Sequence, residues 1–330
     1  MRRREFITLL GSAAAWPLAA RAQQTATPLI GFLSLGWRES DAPRLAGLRR
    51  GLSEAGYVEG TNLAVEYRWA ENQLDRLPTL AGSLIQARVA LIVTPGLPAT
   101  LAARAATTTI PILFGLGADP VQIGLVASLN RPGGNLTGFN QLNGELGAKG
   151  LALLHELVPS ARVIGFLENP GNPLIAELVK ADVLRAAPAI GVQIQALKAG
   201  TEREIEAAFE SLVYARTGAL LVPNDFFFNS RIEQISTLSA RHAIPVMHSS
   251  REFVVAGGLI SYGASLSETY RPVGLYAGRL LKGEKPADLP VVQSTKLELV
   301  INLKAAKAFG LTVIRSHGAA AFLGTSSTLS

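Results

Sequence analysis

Short apolar runs and amphipathic segments alternate along most of this 330-residue chain. PLIGFLSLG (28–36) and IPILFG (110–115) are continuous apolar runs, which predicts buried strands of a parallel sheet. DAPRLAGLRRGLSEAGY (41–57) instead spaces its apolar residues as a helix does and ends at Gly56, a typical helix stop. The alternation continues along the chain and predicts an α/β fold with parallel sheets flanked by helices.

The second half of the chain repeats the landmarks of the first half in the same order. Ile30 to Leu33 read IGFL, and Ile164 to Leu167 read IGFL again. IPILFG at 110 is matched by IPVMHS at 244. Because several landmarks recur in register, the sequence predicts two similar Rossmann-like lobes.

Glycine-rich and apolar segments after each repeat indicate crossings between the lobes. RPGGNLTGFN (131–140) is interpreted as a turn after a helix, VQIGLVASL (121–129), followed by a strand that crosses. Gly138 is expected to give that crossing its hinge freedom. Beyond the second repeat, 266–286 is predicted to be one long helix ending near Gly283, followed by a strand and a helix.

The amino-terminal segment has the composition of an export signal. Three arginines precede a short apolar run, and Ala20 to Ala22 form a small-x-small cleavage site, so we expect residues 1–22 to be removed after Ala22. RRREF is similar to a twin-arginine signal, and an ordinary secretory signal is the alternative. The chain has no cysteine, which excludes a lipoprotein anchor, disulfides and thiolate metal sites. The sequence therefore predicts a periplasmic protein.

Composition and motifs give little support to enzymes or nucleic-acid binders. The net charge is +6, part of it lies in the export signal, and the remaining basic residues form no stripe. The four histidines show no metal-binding spacing, and neither a phosphate loop nor a GxSxG turn is present. We therefore expect no enzymatic activity, no metal and no cofactor, no nucleic-acid partner, and a monomer that binds a small molecule.

Ligands of open parallel sheets bind beyond the carboxyl ends of the strands, and the loops there contain several polar residues. Thr94 to Gly96 precede a helix whose free N–H groups could hold a carboxylate, or Thr94 only caps that helix. Trp37 could stack on a ligand or pack at the domain edge. Asp119 could contact the ligand or form an Asx turn, and Asp225 could meet an ammonium group or start a turn.

Three longer stretches resemble one known family. DPVQIGLVASLNRPGGNLTGFN (119–140), REFVVAGGLISYG (251–263) and LKGEKPADLPVVQSTKLELVINLKAAKAFGL (281–311) are similar to ABC transporter substrate-binding proteins related to tryptophan/tyrosine-binding proteins. The similarity runs from about Pro28 to Leu311. It implies the type I periplasmic-binding-protein fold, in which two lobes are joined by three hinge crossings and close on a ligand.

The resemblance also implies boundaries and site residues. Lobe 1 would comprise 28–138 plus 264–290, and lobe 2 would comprise 140–261 plus 294–330, with crossings near 139–140, 261–263 and 291–293. The cleft positions implied by similarity are Ser34, Trp37, Thr94, Pro95, Gly96, Asp119, Asn140, Asn169, Asn172, Asp225 and Tyr262.

The implied function is capture of a small polar, amino-acid-like solute, with an aromatic one as an option, and its delivery to an ABC permease in the inner membrane. Two alternatives remain: a periplasmic sensory subunit that presents its closed form to a membrane receptor, and an exported α/β enzyme. The tail IRSHGAAAFLGTSSTLS (314–330) departs from the family by lacking a proline-containing turn and an acidic helix. We expect it to be poorly ordered.

Overall fold

The computed structural model describes residues 27–141, 146–294, 297–313 and 320–323. The predicted export signal, residues 1–22, lies outside them. The first half contains strands β1 (Leu29–Ser34), β2 (Ala64–Trp69), β3 (Leu91–Pro95), β4 (Ile112–Leu116) and β5 (Leu136–Gln141), and helices α1 (Ala42–Glu54), α2 (Leu77–Gln86) and α3 (Leu97–Ala106).

The second half alternates in the same way. Its strands are β6 (Val163–Glu168), β7 (Gln193–Lys198), β8 (Ala219–Val222), β9 (Val246–His248) and β10 (Ile260–Gly263), and its helices are α4 (Leu146–Leu157), α5 (Pro173–Ala186), α6 (Glu202–Tyr214), α7 (Phe226–Ser230), α8 (Ile232–His242) and α9 (Arg251–Val255). The last elements are α10 (Leu266–Leu281), β11 (Val292–Ser294), β12 (Glu298–Asn302), α11 (Leu303–Ala308) and β13 (Ala320–Leu323).

These strands form two sheets with corresponding strand order. The first sheet runs β11-β5-β4-β3-β1-β2, and all its pairs are parallel. The second runs β13-β12-β10-β9-β8-β6-β7, and only β10 with β12 is antiparallel. Each sheet is buried between helices, with an apolar cluster on both faces. The predicted fold class, two Rossmann-like lobes, is confirmed.

The long helix α10 returns the chain to lobe 1, where it packs against α1. Glycines allow the two backbones to touch, because a Cβ at Gly51 would overlap the Arg271 carbonyl oxygen and one at Gly274 would overlap that of Leu48. The helix ends at Leu281, and Gly283 takes a φ of 96°, so glycine acts as the expected stop.

Each strand at a predicted crossing belongs to one sheet. All of β5, through Gln141, belongs to the first sheet, because it pairs with β4 on one side and β11 on the other. The first sheet therefore includes residues beyond 138, where the expected first segment of lobe 1 ends. β10 lies in the second sheet, and β11, which follows residue 290, lies in the first.

Two expectations about the crossing segment are corrected. Residues 121–129 form turns and bends, not a helix, after the Asx turn at Asp119. Gly138 lies within β5 opposite Phe114, where a Cβ would overlap the Phe114 carbonyl oxygen. Its glycine is required by close backbone approach inside a sheet, not by hinge freedom.

One segment of the carboxyl-terminal tail forms a strand, which was not expected, and the rest of residues 314–330 lies outside the described residues. Ala320–Leu323 form β13, which pairs in parallel with β12 at the edge of the second sheet. Four residues of β13 pair in register with β12. The departure from the family pattern did not indicate this pairing.

Candidate functional site

Two adjoining cavities lie between the lobes, at the carboxyl ends of the strands. The smaller has a volume of about 70 Å³ and the larger about 510 Å³. They share three lining residues, Gly117, Ile175 and Asn224, so a ligand can reach both. An engineered apolar cavity of about 150 Å³ holds one benzene molecule. An aromatic ring therefore fits only the larger cavity.

On lobe 1, the start of α3 and a buried arginine line the small cavity. Gly96 caps α3 with a φ of 83° and donates its N–H to the Gly115 carbonyl at 2.8 Å. Pro98 has no N–H, so Leu97 and Ala99 supply the first helical N–H groups, which have no acceptor within the helix. This helix start is a favourable place for an anion.

Arg44 places a cation at the same cavity. Its guanidinium is nearly buried and donates to the Asp41 carboxylate at 3.1 Å and to the Ser40 carbonyl at 3.0 Å. Burial raises the pKa of Asp41, and the Coulombic attraction of Arg44 opposes that rise. Tyr270 of α10 also lines the cavity, and burial raises the pKa of its phenol, which stays neutral. Lobe 1 thus presents a guanidinium, paired with Asp41, and the N–H groups of a helix start to the small cavity.

On lobe 2, Asn172 and Asn224 face the small cavity. Asn172 precedes α5, is 3% exposed and donates its Nδ2 to the Asp225 carboxylate at 2.9 Å. Its Oδ1 has no hydrogen-bond partner among the described residues. A buried amide oxygen without a donor is costly, so this atom is placed to accept a hydrogen bond from a ligand.

Asp225 anchors an amide network instead of lining either cavity. Its Oδ1 accepts from Asn169 at 2.7 Å and from the Phe227 backbone N–H at 2.9 Å. Burial raises its pKa, which the hydrogen bonds from Asn172 and Asn169 oppose. Asn169 also exchanges hydrogen bonds with Asn72 of lobe 1, at 3.0 and 3.3 Å. The network therefore joins the two lobes.

Phe226, at the start of α7, inserts into lobe 1. Its ring packs with the first-sheet core and is 7% exposed. The Arg44 guanidinium lies 4.6 Å from the ring centroid. The ring contacts the places where Gly36 and Gly96 would carry a Cβ, so both glycines are needed for this approach.

The large cavity lies mainly inside lobe 2, beneath α5, and is largely apolar. Its wall combines α4 and α5 with the ends of strands β6, β8, β9 and β10, and the 117–123 loop of lobe 1 closes one side. His248 and Ser249 supply its polar groups at the end of β9. Both His248 Nε2 and Ser249 Oγ lack a hydrogen-bond partner among the described residues.

Four of the eleven predicted site residues line these cavities, Gly96 and Asn172 at the small one and Asp119 and Tyr262 at the large one. Asp119 is both a cavity residue and an Asx turn, because its Oδ1 accepts from the Val121 N–H at 2.8 Å. Asn140 is fully buried in β5, and its amide has no partner among the described residues, yet it lines neither cavity.

The other predicted residues hold the lobes or their turns together. Ser34 accepts the Gly36 N–H at 3.0 Å, and Thr94 hydrogen-bonds Thr100 at 2.9 Å, so Thr94 is not a helix cap. Pro95 is buried at the end of β3, before the Gly96 cap. Trp37 packs against Phe227 of lobe 2, with ring centroids 6.0 Å apart, and lines neither cavity.

Arg44, Tyr270 and His248 are among the cavity residues that the sequence analysis did not single out. Arg44 and Tyr270 lie on helices whose apolar spacing only indicated packing, and the cavity forms when α10 returns to lobe 1. His248 ends β9, so its place at the carboxyl end of a strand was the available signal.

Comparison with known proteins decides the family. Residues 39–321 match the family described as ABC transporter substrate binding protein. The chain belongs to this family. It is a solute-binding protein of the ABC transporter class, which acts outside the cytoplasm with a small-molecule ligand and a permease, and the family consists of binding proteins rather than enzymes.

Individual relatives agree with this assignment. The chain is 28% identical over 266 residues to a tyrosine-binding protein of Clostridioides difficile (strain R20291), covering 80% of this chain and 76% of that protein. A conserved domain protein from Vibrio cholerae is 25% identical with a TM-score of 0.78, over 88% of this chain and 96% of the other.

A third relative is a Streptococcus pneumonia ABC domain in complex with L-Trp. It is 24% identical with a TM-score of 0.76, over 88% of this chain and 97% of the other, and so shares the fold. Among the described residues, no helix is both long and apolar enough to span a membrane, and no His, Asp and Glu cluster is arranged to hold a metal.

Proposed function

We propose that this protein captures an aromatic amino acid between its lobes and delivers it to an inner-membrane ABC permease. The observation that carries the proposal is the pairing of a small polar cavity with a large apolar one. A carboxylate and an ammonium group fit the first, and an aromatic side chain fits only the second. The relatives named for tyrosine and L-Trp support the same ligand class.

Each end of the ligand has a partner of matching chemistry. The N–H groups at the start of α3, beside Arg44, would bind the carboxylate. The unpaired Oδ1 of Asn172 would accept from the ammonium group. This replaces Asp225 as the ammonium partner, because both Asp225 carboxylate oxygens already accept amide hydrogen bonds.

Closure would follow from contacts that only the closed arrangement makes. Phe226 and the Asn72–Asn169 pair both join the lobes. A ligand that touches both lobes would add to these contacts and shift the equilibrium towards closure. The three crossings would serve as the hinge, and the protein would act as a monomer in the periplasm after cleavage behind Ala22.

A binding screen tests the ligand class. Thermal unfolding of the purified protein is measured with L-tryptophan, L-tyrosine and L-phenylalanine, and with tryptamine and indole-3-propanoate as controls. The amino acids should raise the midpoint, tryptamine should not because it lacks the carboxylate, and indole-3-propanoate should bind more weakly because it lacks the amine. Stabilisation by tryptamine alone would overturn the proposal.

A further inference from the structure

The large cavity has more room than a single aromatic side chain needs. Its volume of about 510 Å³ is more than three times that of a cavity that holds benzene, about 150 Å³. Phe166, Leu221 and Met247 form an apolar floor on the sheet, and α4 contributes Gly147 and Gly150, which have no side chains to fill the space. The site beneath α5 is therefore built for a body larger than one ring.

The helix α5 covers this cavity instead of packing fully on the sheet. Val183 is its only buried residue, while Leu174 and Leu178 are about half exposed. Ile175, Leu178 and Val179 of the same helix line the cavity. An apolar helix face directed at a cavity offers contact area to an apolar ligand.

His248 provides a directed donor in this apolar site. Its side chain is fully buried, and its Nδ1 accepts the Ser250 backbone N–H at 2.9 Å. The proton of the neutral ring therefore lies on Nε2, which has no partner among the described residues, and His248 is one of the residues that line the cavity. Burial lowers the pKa of His248 to about 3, so the ring stays neutral over the physiological range.

We propose that the large cavity binds a multi-ring apolar body that carries a neutral hydrogen-bond acceptor, with His248 Nε2–H as the specificity-determining donor. The inference rests on the proposed function, because the same ligand would place its amino-acid end in the small cavity. A neutral N–H donor cannot pair with an ammonium group, so His248 selects for an acceptor atom. Ser249 Oγ offers a second hydrogen bond beside His248.

A matched pair of probes isolates the acceptor. 4-Benzoyl-L-phenylalanine carries a ketone between two rings, and 4-benzyl-L-phenylalanine has a methylene group in its place. Titration calorimetry should give a dissociation constant about tenfold lower for the ketone, because only the ketone pairs with the buried donor. L-tryptophan and L-tyrosine are titrated alongside as tests of the proposed function.

The variant His248→Asn tests which donor is responsible. Asparagine keeps an acceptor near the Nδ1 position for Ser250 but does not reach the position of Nε2. The ketone's advantage should disappear in this variant and persist in His242→Asn, which changes a histidine on α8 outside both cavities.

A second pair of variants keeps the test valid if His248→Asn does not fold. Leu178→Trp fills the cavity from an exposed position, and Leu184→Trp places the same side chain elsewhere on α5. Leu178→Trp should weaken both probes at least tenfold, and Leu184→Trp should leave them unchanged.

Two outcomes would overturn the inference. Equal affinity for ketone and methylene probes would show that His248 does not select an acceptor. Binding of L-tryptophan or L-tyrosine without either probe would reject the enlarged site and leave the proposed function standing. If none of the four ligands binds, the proposed function fails as well.

Discussion

The two lobes share a strand order, yet they line the ligand site with different chemistry. Lobe 1 offers backbone, glycines and a cation: Gly96, Gly115, Gly117 and Arg44. Lobe 2 offers side chains, including Asn172 and His248. One repeated fold has thus provided an anion-binding wall in one lobe and a wall that can select side chains in the other.

The ends of the corresponding strands β4 and β9 show where this difference arises. Gly115 lies in β4, and a Cβ there would overlap the Tyr270 hydroxyl of α10. β9 instead ends at His248, whose ring stacks on Phe253 at 5.4 Å. Lobe 1 must keep a small residue because α10 covers its strand ends, whereas lobe 2 has room for side chains that face the ligand.

The largest expected effect is on the free energy of unfolding, and it differs between β5 and β10, the strands at the first two predicted crossings. Gly138→Ala in β5 should destabilise the protein by about 3 kcal/mol, because its Cβ would overlap the Phe114 backbone. Ser261→Ala, in β10 of lobe 2, removes only a hydroxyl and should cost about 1 kcal/mol. Urea unfolding measures the free energy of unfolding of both variants. Equal losses of stability would contradict this difference between the lobes.

Phe226→Ala should weaken closure more than folding. Burial of a phenylalanine ring stabilises by about 2 kcal/mol, which corresponds to roughly thirtyfold in ligand affinity if it is gained on closure. Phe228→Ala is the control, because Phe228 is buried within lobe 2 and should affect unfolding instead. A Phe226→Ala protein with unchanged affinity would show that this ring does not contribute to closure.

The neutral His248 predicts a pH dependence of stability that lobe 1 does not share. Its pKa is about 3 in the folded protein, against an ordinary value of 6.5, so the unfolded chain binds the extra proton as pH falls below 6.5. The stabilisation is complete above that pH and is lost towards pH 3, by at most about 1.4 kcal/mol per pH unit. The unfolding free energy of His248→Asn should lack this slope between pH 6.5 and 5, and identical slopes would contradict the assignment.

The smallest effect concerns the amide pair between the lobes. Asn72→Ala removes two hydrogen bonds to Asn169 but leaves Asn169 bonded to Asp225. Ligand affinity should fall by about 1 kcal/mol, or roughly fivefold. Asn62→Ala, whose hydrogen bonds stay within lobe 1, should leave affinity unchanged. An equal loss of ligand affinity in both variants would show that the loss arises from changes within lobe 1 and not from the contact between the lobes.

The repeat predicted the fold well because buried strands need long apolar runs, such as IGFL at Ile30 and Ile164. Turn chemistry also identified the Asx turn at Asp119. The site was harder to predict, because Arg44 and Tyr270 meet only when α10 returns to lobe 1. Thr94 and Ser34 have residue types typical of ligand contacts, yet Thr94 bonds Thr100 of α3 and Ser34 bonds the Gly36 N–H. Sequence spacing does not show which polar groups are already paired.

A crystal structure of the protein with L-tryptophan tests the central claim most directly. We expect the carboxylate within hydrogen-bond distance of the Leu97 and Ala99 N–H groups, and the indole in the cavity lined by Met247 and Phe166. An indole stacked on Trp37, or a carboxylate bound on lobe 2, would contradict the division of chemistry between the two lobes.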